Sequence, residues 1–155
     1  MINSTEPILL TKEGLEELKK ELENLLGGKR PELVIRLAEA RSQGDLAENS
    51  EYTAAKQDLA FVDGRIAELE LIIHEAKVVV SHSRKAVDVG CQVTLHIGKK
   101  KEVYTIVGEW EADPMQKKIS HSSPLGKALL GKRVGEAVEV EAPVGKIIYK
   151  IIQIK

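Results

Sequence analysis

Residues Tyr52 to Ala76, YTAAKQDLAFVDGRIAELELIIHEA, determine how this chain is built. Within them Tyr52, Ala55, Leu59, Val62, Ile66, Leu69, Ile73 and Ala76 follow one another at alternating steps of three and four. That repeat keeps one apolar stripe on one side of a helix, facing one partner helix. The partner lies upstream. Thr11 can cap a helix whose Leu15, Leu18, Leu22 and Leu25 recur at the same spacing. After Gly27, Gly28 and Pro31 the stripe resumes through Leu26, Leu33, Leu37 and Ala40, the step of four from Leu22 to Leu26 being that of a stutter. The pattern predicts one long or slightly kinked helix from Lys12 to about Ser42, despite two glycines that each cost up to about 1 kcal/mol in a helix. Two segments of matched length joined through Gly44 make an antiparallel helical hairpin, an arm on the order of 45 Å long.

The end of that arm is acidic. Ser42 to Tyr52, SQGDLAENSEY, carries Asp45, Glu48 and Glu51, and no Lys or Arg occurs from Ser42 through Ala55. Asp45-Leu46-Ala47-Glu48 has the spacing of a capping box, with Asp45 at the N-cap, Glu48 reaching back, and both acids suiting the helix dipole. Two carboxylates three apart on a helical turn also lie about 5 to 6 Å apart at Cβ, close enough to address one divalent cation. The two readings are compatible. A hairpin can equally be a dimerisation or scaffold element whose tip acids are ordinary solvated charges. Arg36, Arg41, Lys56 and Arg65 flank the tip, with Arg41 and Lys56 beside it on opposite helices. Such residues mostly form a solvated face with local ion pairs; the sharper alternative is that they steady a phosphate backbone near the carboxylates.

The 155 residues, 43% hydrophobic and 30% charged, are enough for one ordinary domain or two small ones. The single cysteine, Cys91, excludes an internal disulfide, fits a reducing compartment and reads as a small buried hydrophobe. The opening MINSTEPILL lacks a basic, long apolar leader, and no apolar run reaches the length of a membrane span, so the expected location is the cytoplasm, away from membranes. A net charge of −1 conceals an asymmetry, with −6 on residues 1–80 and +5 on residues 81–155. A pI near 6.4 lacks the basic footprint of a general nucleic-acid binder.

Ser81 to Ala86, SHSRKA, is polar and follows the end of the stripe, which places a linker at 81–86 between a hairpin over 1–80 and a second domain over 87–155. From Val87 the period becomes two. Val89, Cys91, Val93, Leu95 and Ile97 predict a half-buried strand, Gly98 to Lys101 a turn, and Glu102 to Val107 a second strand. Ser122 or Ser123 before Pro124 reads as the cap of a short helix ending near Leu130, with Gly131 beyond it. Ala137–Ala142 and Lys146–Ile154 are strands around the Pro143-Val144-Gly145 turn. The fold class is therefore α+β, a coiled-coil hairpin followed by a small, mostly antiparallel β domain with one short helix. His74, His82, His96 and His121 show no metal-ligand spacing, no phosphate-cradling glycine motif is present, and His121 among serines is better explained as a polar loop than as a nucleophilic site. Trp110 reads equally as a core residue or as an exposed contact.

Two stretches carry a resemblance. ARSQGDLAENSEYTAAK, with Asp45, Glu48, Asn49, Glu51 and Tyr52 in place, and ISHSSPLGKALLGKRVGE, preceded by Ala112-Asp113-Pro114, are similar to the tip and second-domain signatures of the GreA/GreB family of bacterial transcript cleavage factors. The modest basic content near the tip is closer to the GreA branch than to its more basic paralogue. The resemblance spans essentially the whole chain. It implies an FKBP-like second domain without isomerase activity, docking on the rim of the secondary channel of RNA polymerase. It also implies a hairpin inserted into that channel, reaching backtracked RNA near its 3′ end. Asp45 and Glu48 would then help the polymerase hold a second Mg²⁺ and orient the attacking water, and Arg41, Asn49, Tyr52 and Lys56 become candidate RNA or polymerase contacts. Two carboxylates are too few to hold Mg²⁺ tightly, so the expected protein is a monomer that stimulates the polymerase's own cleavage and is no nuclease alone. Two rivals stand beside it, an inhibitory homologue that blocks the channel and a peptidyl-prolyl isomerase or chaperone with a coiled-coil arm. The few aromatics weigh against the second.

Overall fold

The computed structural model describes residues 6–45, 48–81 and 84–155. Two compact units emerge, one formed by Leu15–Glu75 and the other by the segment up to Gly14 together with Ala76–Lys155. The fold is α+β.

In the first unit α1 (Lys12–Asn24) continues through a π-helical turn, Leu25–Lys29, into α2 (Arg30–Ser42), and α3 (Ser50–Glu75) packs against them. The cross-helix polar partners Glu21–Arg65, Arg30–Asp63, Arg36–Asp58, Arg36–Glu51 and Ala40–Asn49 fall on one helix as they rise on the other, which fixes the pair as antiparallel. Leu33, Val62 and Ile66 are buried together, with Leu22, Leu25 and Leu59 packed on them. The stripe therefore crosses the interruption from Leu25 to Leu33, and Leu26, expected in the seam, is 46% exposed. The wide π turn absorbs one extra residue, so the stripe keeps its face. Gly27 and Gly28 sit inside this turn, and a Cβ on either would meet nothing within 4 Å.

Later in the hairpin the stripe matches the expectation at Ala55, Val62, Ile66 and Leu69, but its last fully buried member is Ile72 and not Ile73. The reason lies at the helix end. α3 stops at Glu75, and Ala76 opens a strand.

That strand, β2 (Ala76–Val78), pairs in parallel with β1 (Ile8–Leu10). The expected first domain, 1–80, contains both strands, and they belong to the second compact unit. Thr11 does cap α1, its Oγ1 accepting from Gly14 N at 3.1 Å. The Thr11 backbone N and hydroxyl both donate to the carboxylate of Glu111, which also accepts from Gly108 N at 2.9 Å.

The main sheet of this unit has the strand order β5-β4-β3-β7-β6, made of β3 (Gln92–Ile97), β4 (Lys100–Val107), β5 (Lys118–Ser120), β6 (Ala137–Ala142) and β7 (Gly145–Ile154). All its pairings are antiparallel except β4 with β5, the strand the sequence reading did not foresee. Val89 and Cys91 are buried but precede β3, because Gly90 at φ +93° turns the chain there. Val93, Leu95, Ile106, Val138, Ile151 and Ile154 form the core, a register shift between β3 and β7 bringing both Ile151 and Ile154 to it, and Leu129 of α4 (Pro124–Leu129) covers them. Ser123 caps α4, its Oγ accepting from Gly126 N at 3.0 Å. Gly126 is required there, since a Cβ would fall 2.0 Å from the Ser120 carbonyl oxygen. Trp110 is half-buried in a short turn, Glu109–Glu111. Among the described residues no helix is long and apolar enough to cross a membrane.

Candidate functional site

The acidic stretch lies where the hairpin turns, and its geometry comes from one side chain. Asn49 Oδ1 accepts from Tyr52 N at 3.1 Å, which makes Asn49 the N-cap of α3. Its Nδ2 donates to the carbonyl of Ala40, near the end of α2, at 2.8 Å. One amide thus starts the second helix and ties it to the end of the first. On the other side Gly44, at φ +117°, supplies the left-handed residue that turns the chain out of α2.

The N-cap of α3 is Asn49 and not the expected Asp45. Asp45 and Glu48 precede the helix, whose first residue is Ser50, so the Cβ spacing argued from a helical turn does not apply to them. Leu46 and Ala47, the middle of the expected box, lie outside the described residues. Asp45 and Glu48 are both exposed.

The third acid has a different role. Glu51, in the first turn of α3, accepts from Arg36 Nε at 2.5 Å, and Arg36 also reaches Asp58 at 2.9 Å. These contacts, Glu51 first, raise the guanidinium's already high pKa. Arg65 grips Glu21 with two parallel bonds of 2.7 and 2.9 Å and also binds Glu68, so it braces the hairpin from well below the tip. Arg41 lies 6.0 Å from the ring centroid of Tyr52, a cation–π contact across the helices. Lys56 is exposed and forms no ion pair with a described residue.

Of the six residues singled out in the sequence, Asn49, Tyr52 and Arg41 are therefore joined in one structural cluster, while Asp45, Glu48 and Lys56 are presented to solvent. The part played by Asn49 and the pairing of Arg36 with Glu51 were missed. The run Asn49-Ser50-Glu51-Tyr52, an amide three residues before an apolar helix position, was the available signal for the first. Among the described residues no three His, Cys, Asp or Glu side chains are grouped so as to hold a metal ion.

By its sequence the chain matches a class of transcription elongation factors. Two family models cover the chain, the N-terminal domain of these factors over residues 8–78 and the GreA/GreB C-terminal domain over residues 82–155. The chain belongs to the GreA/GreB family of transcription elongation factors. It is 49% identical to transcription elongation factor GreA of Thermoanaerobacter pseudethanolicus, over 97% of this chain and 99% of that protein. It is 48% identical to GreA of Lactococcus lactis subsp. cremoris, over 94% and 96%. Among solved structures it is similar to GreA factor homolog 1 (Gfh1) of Thermus thermophilus, 32% identical over 97% of this chain and 99% of that one, with a TM-score of 0.46.

Proposed function

We propose that the chain acts on RNA polymerase as a stimulator of transcript cleavage, with Asp45 and Glu48 as its working groups. The observation that carries this reading is that both carboxylates are exposed at the hairpin turn while Asn49 caps α3 in their place. The hairpin would enter the secondary channel and the second unit would dock at its rim, so that the acids approach the 3′ end of backtracked RNA. Carboxylate oxygens are hard donors suited to Mg²⁺, and two of them form half a site at most, so the polymerase supplies the remaining ligands. When bound, that ion supplies Lewis-acid activation of water and stabilisation of charge on the leaving oxygen. Asp45 and Glu48 contribute negative charge, ligand oxygens and acceptors that orient a water. Lys56 is placed to offset their repulsion of an RNA backbone, and Arg41, stacked on Tyr52, keeps its charge close to the same turn. The protein is then a cytoplasmic monomer with no catalysis of its own.

The test is Asp45→Asn with Glu48→Gln on stalled, backtracked transcription complexes. Polymerase binding is expected to persist while RNA cleavage is lost. Full cleavage by the double variant refutes the carboxylate role, and wild-type protein that slows stalled complexes without cleaving their RNA establishes the channel-blocking reading instead.

A further inference from the structure

A second site, on the main sheet, has nothing to do with the hairpin turn. The register sets His96 of β3 opposite Lys101 of β4 on one side and opposite Lys150 of β7 on the other. One histidine and two lysines thus form one row across three adjacent strands, alternating with core residues such as Leu95 and Ile151 on the opposite face. Two interstrand spacings make this row about 10 Å long. Nearby, Lys117 pairs with Glu102 and Lys146 with Glu139, each at 3.0 Å, but Lys101 and Lys150 are in no ion pair with a described carboxylate.

The row borders a concavity of about 370 Å³ whose remaining walls are Val134, Gly135, Ile151 and Ile152. The concavity is shallow and open to solvent. One wall is cationic and the other apolar. Val134 is 54% exposed, so the apolar wall is open to an incoming group. We propose that this pocket binds a small phosphate-bearing anion of the nucleoside di- or triphosphate class, its phosphates along Lys101, His96 and Lys150 and its nucleoside against Val134 and Ile152. A distributed polyphosphate matches two lysines flanking an imidazole better than a single carboxylate does. A nucleic-acid strand would require a continuous basic track longer than this row of about 10 Å.

The experiment is a titration of the full-length, ¹⁵N-labelled protein at low salt with ATP and, separately, with inorganic pyrophosphate. Saturable shifts confined to the amides of His96, Gly135, Lys150 and their strand neighbours are expected with both, ATP being the tighter. Lys101→Ala and Lys150→Ala should each weaken binding about tenfold, the loss of one charged hydrogen bond, while Lys127→Ala on α4 leaves it unchanged. Lys150→Gln serves where the alanine variant fails to fold. Absence of saturable shifts, or shifts spread over every lysine, overturns the proposal. Tighter, steeply salt-dependent binding of a single-stranded oligonucleotide overturns it in favour of nucleic acid. Equal affinity for pyrophosphate and ATP overturns the nucleoside assignment.

Discussion

Replacing Asn49 by Ala removes two bonds with one truncation. The first is the cap from Oδ1 to Tyr52 N, and such caps are worth about 1 kcal/mol. The second is Nδ2 to the Ala40 carbonyl, a partly buried bond of 2.8 Å that contributes about 1 kcal/mol net. Ala40 O keeps the longer 3.3 Å contact from Gln43 N. The variant is therefore expected to lose about 2 kcal/mol of hairpin stability, read by urea unfolding and by faster exchange of the Tyr52 amide. Asn49→Ser separates the two terms. A serine hydroxyl can still cap α3 but cannot reach Ala40, so about half the loss should return. An Asn49→Ala protein within about 0.5 kcal/mol of wild type, with Tyr52 exchange unchanged, would refute the view that one amide closes the turn.

Gly27 and Gly28 are helical, neither has a positive φ, and both have open space where a Cβ would stand. Alanine at each should stabilise the hairpin by about 0.5 to 1 kcal/mol in urea unfolding, and destabilisation by either would mean that the π turn needs glycine's backbone freedom. Tyr104, partly buried and donating to Glu102 at 2.9 Å, has its pKa pushed up to about 12, by desolvation first and by the adjacent carboxylate second. Because the folded protein holds this proton longer than the unfolded chain, stability should fall as pH rises from about 10 to 12. In a spectrophotometric titration Tyr104 should ionise late, near pH 12, and Glu102→Gln should bring it down; an unchanged Tyr104 midpoint in that variant would discount the carboxylate.

The fold was legible in the sequence wherever a periodic pattern had a single physical cause. The three-four spacing in α3 needs one partner helix, and the alternation from Val93 to Ile97 needs one buried face, so both elements appear where expected. Ser123-Pro124 likewise marks its helix start, because a hydroxyl cap followed by a residue without an N–H suits few other places. What the pattern could not carry were long-range pairings. Ile8-Leu9-Leu10 is too short to declare a period, and its strand exists only because Ala76–Val78 lies beside it. The bonds from Thr11 to Glu111 join residues a hundred positions apart. The interruption at Gly27 was read as a stutter because spacing alone shows that a residue must be absorbed, whereas the choice of Leu25 over Leu26 depends on the width of a single turn.

At the turn itself the sequence offered two claimants for the start of α3, and the outcome bears on function. Had Asp45 and Glu48 formed the capping box, neutralising them would have weakened the helix, and lost activity could have followed from a frayed tip. With Asn49 as the cap, the two acids stand outside the helix, and the two kinds of variant should separate cleanly. Asp45→Asn with Glu48→Gln should leave the Tyr52 amide as protected as in wild type while abolishing RNA cleavage by the polymerase complex. Asn49→Ala should deprotect Tyr52 and impair cleavage only as far as it loosens the turn, with Asn49→Ser recovering part of both. A double-acid variant that deprotects Tyr52 as strongly as Asn49→Ala would assign those carboxylates to holding the turn and remove the ground for giving them a role in the polymerase's chemistry.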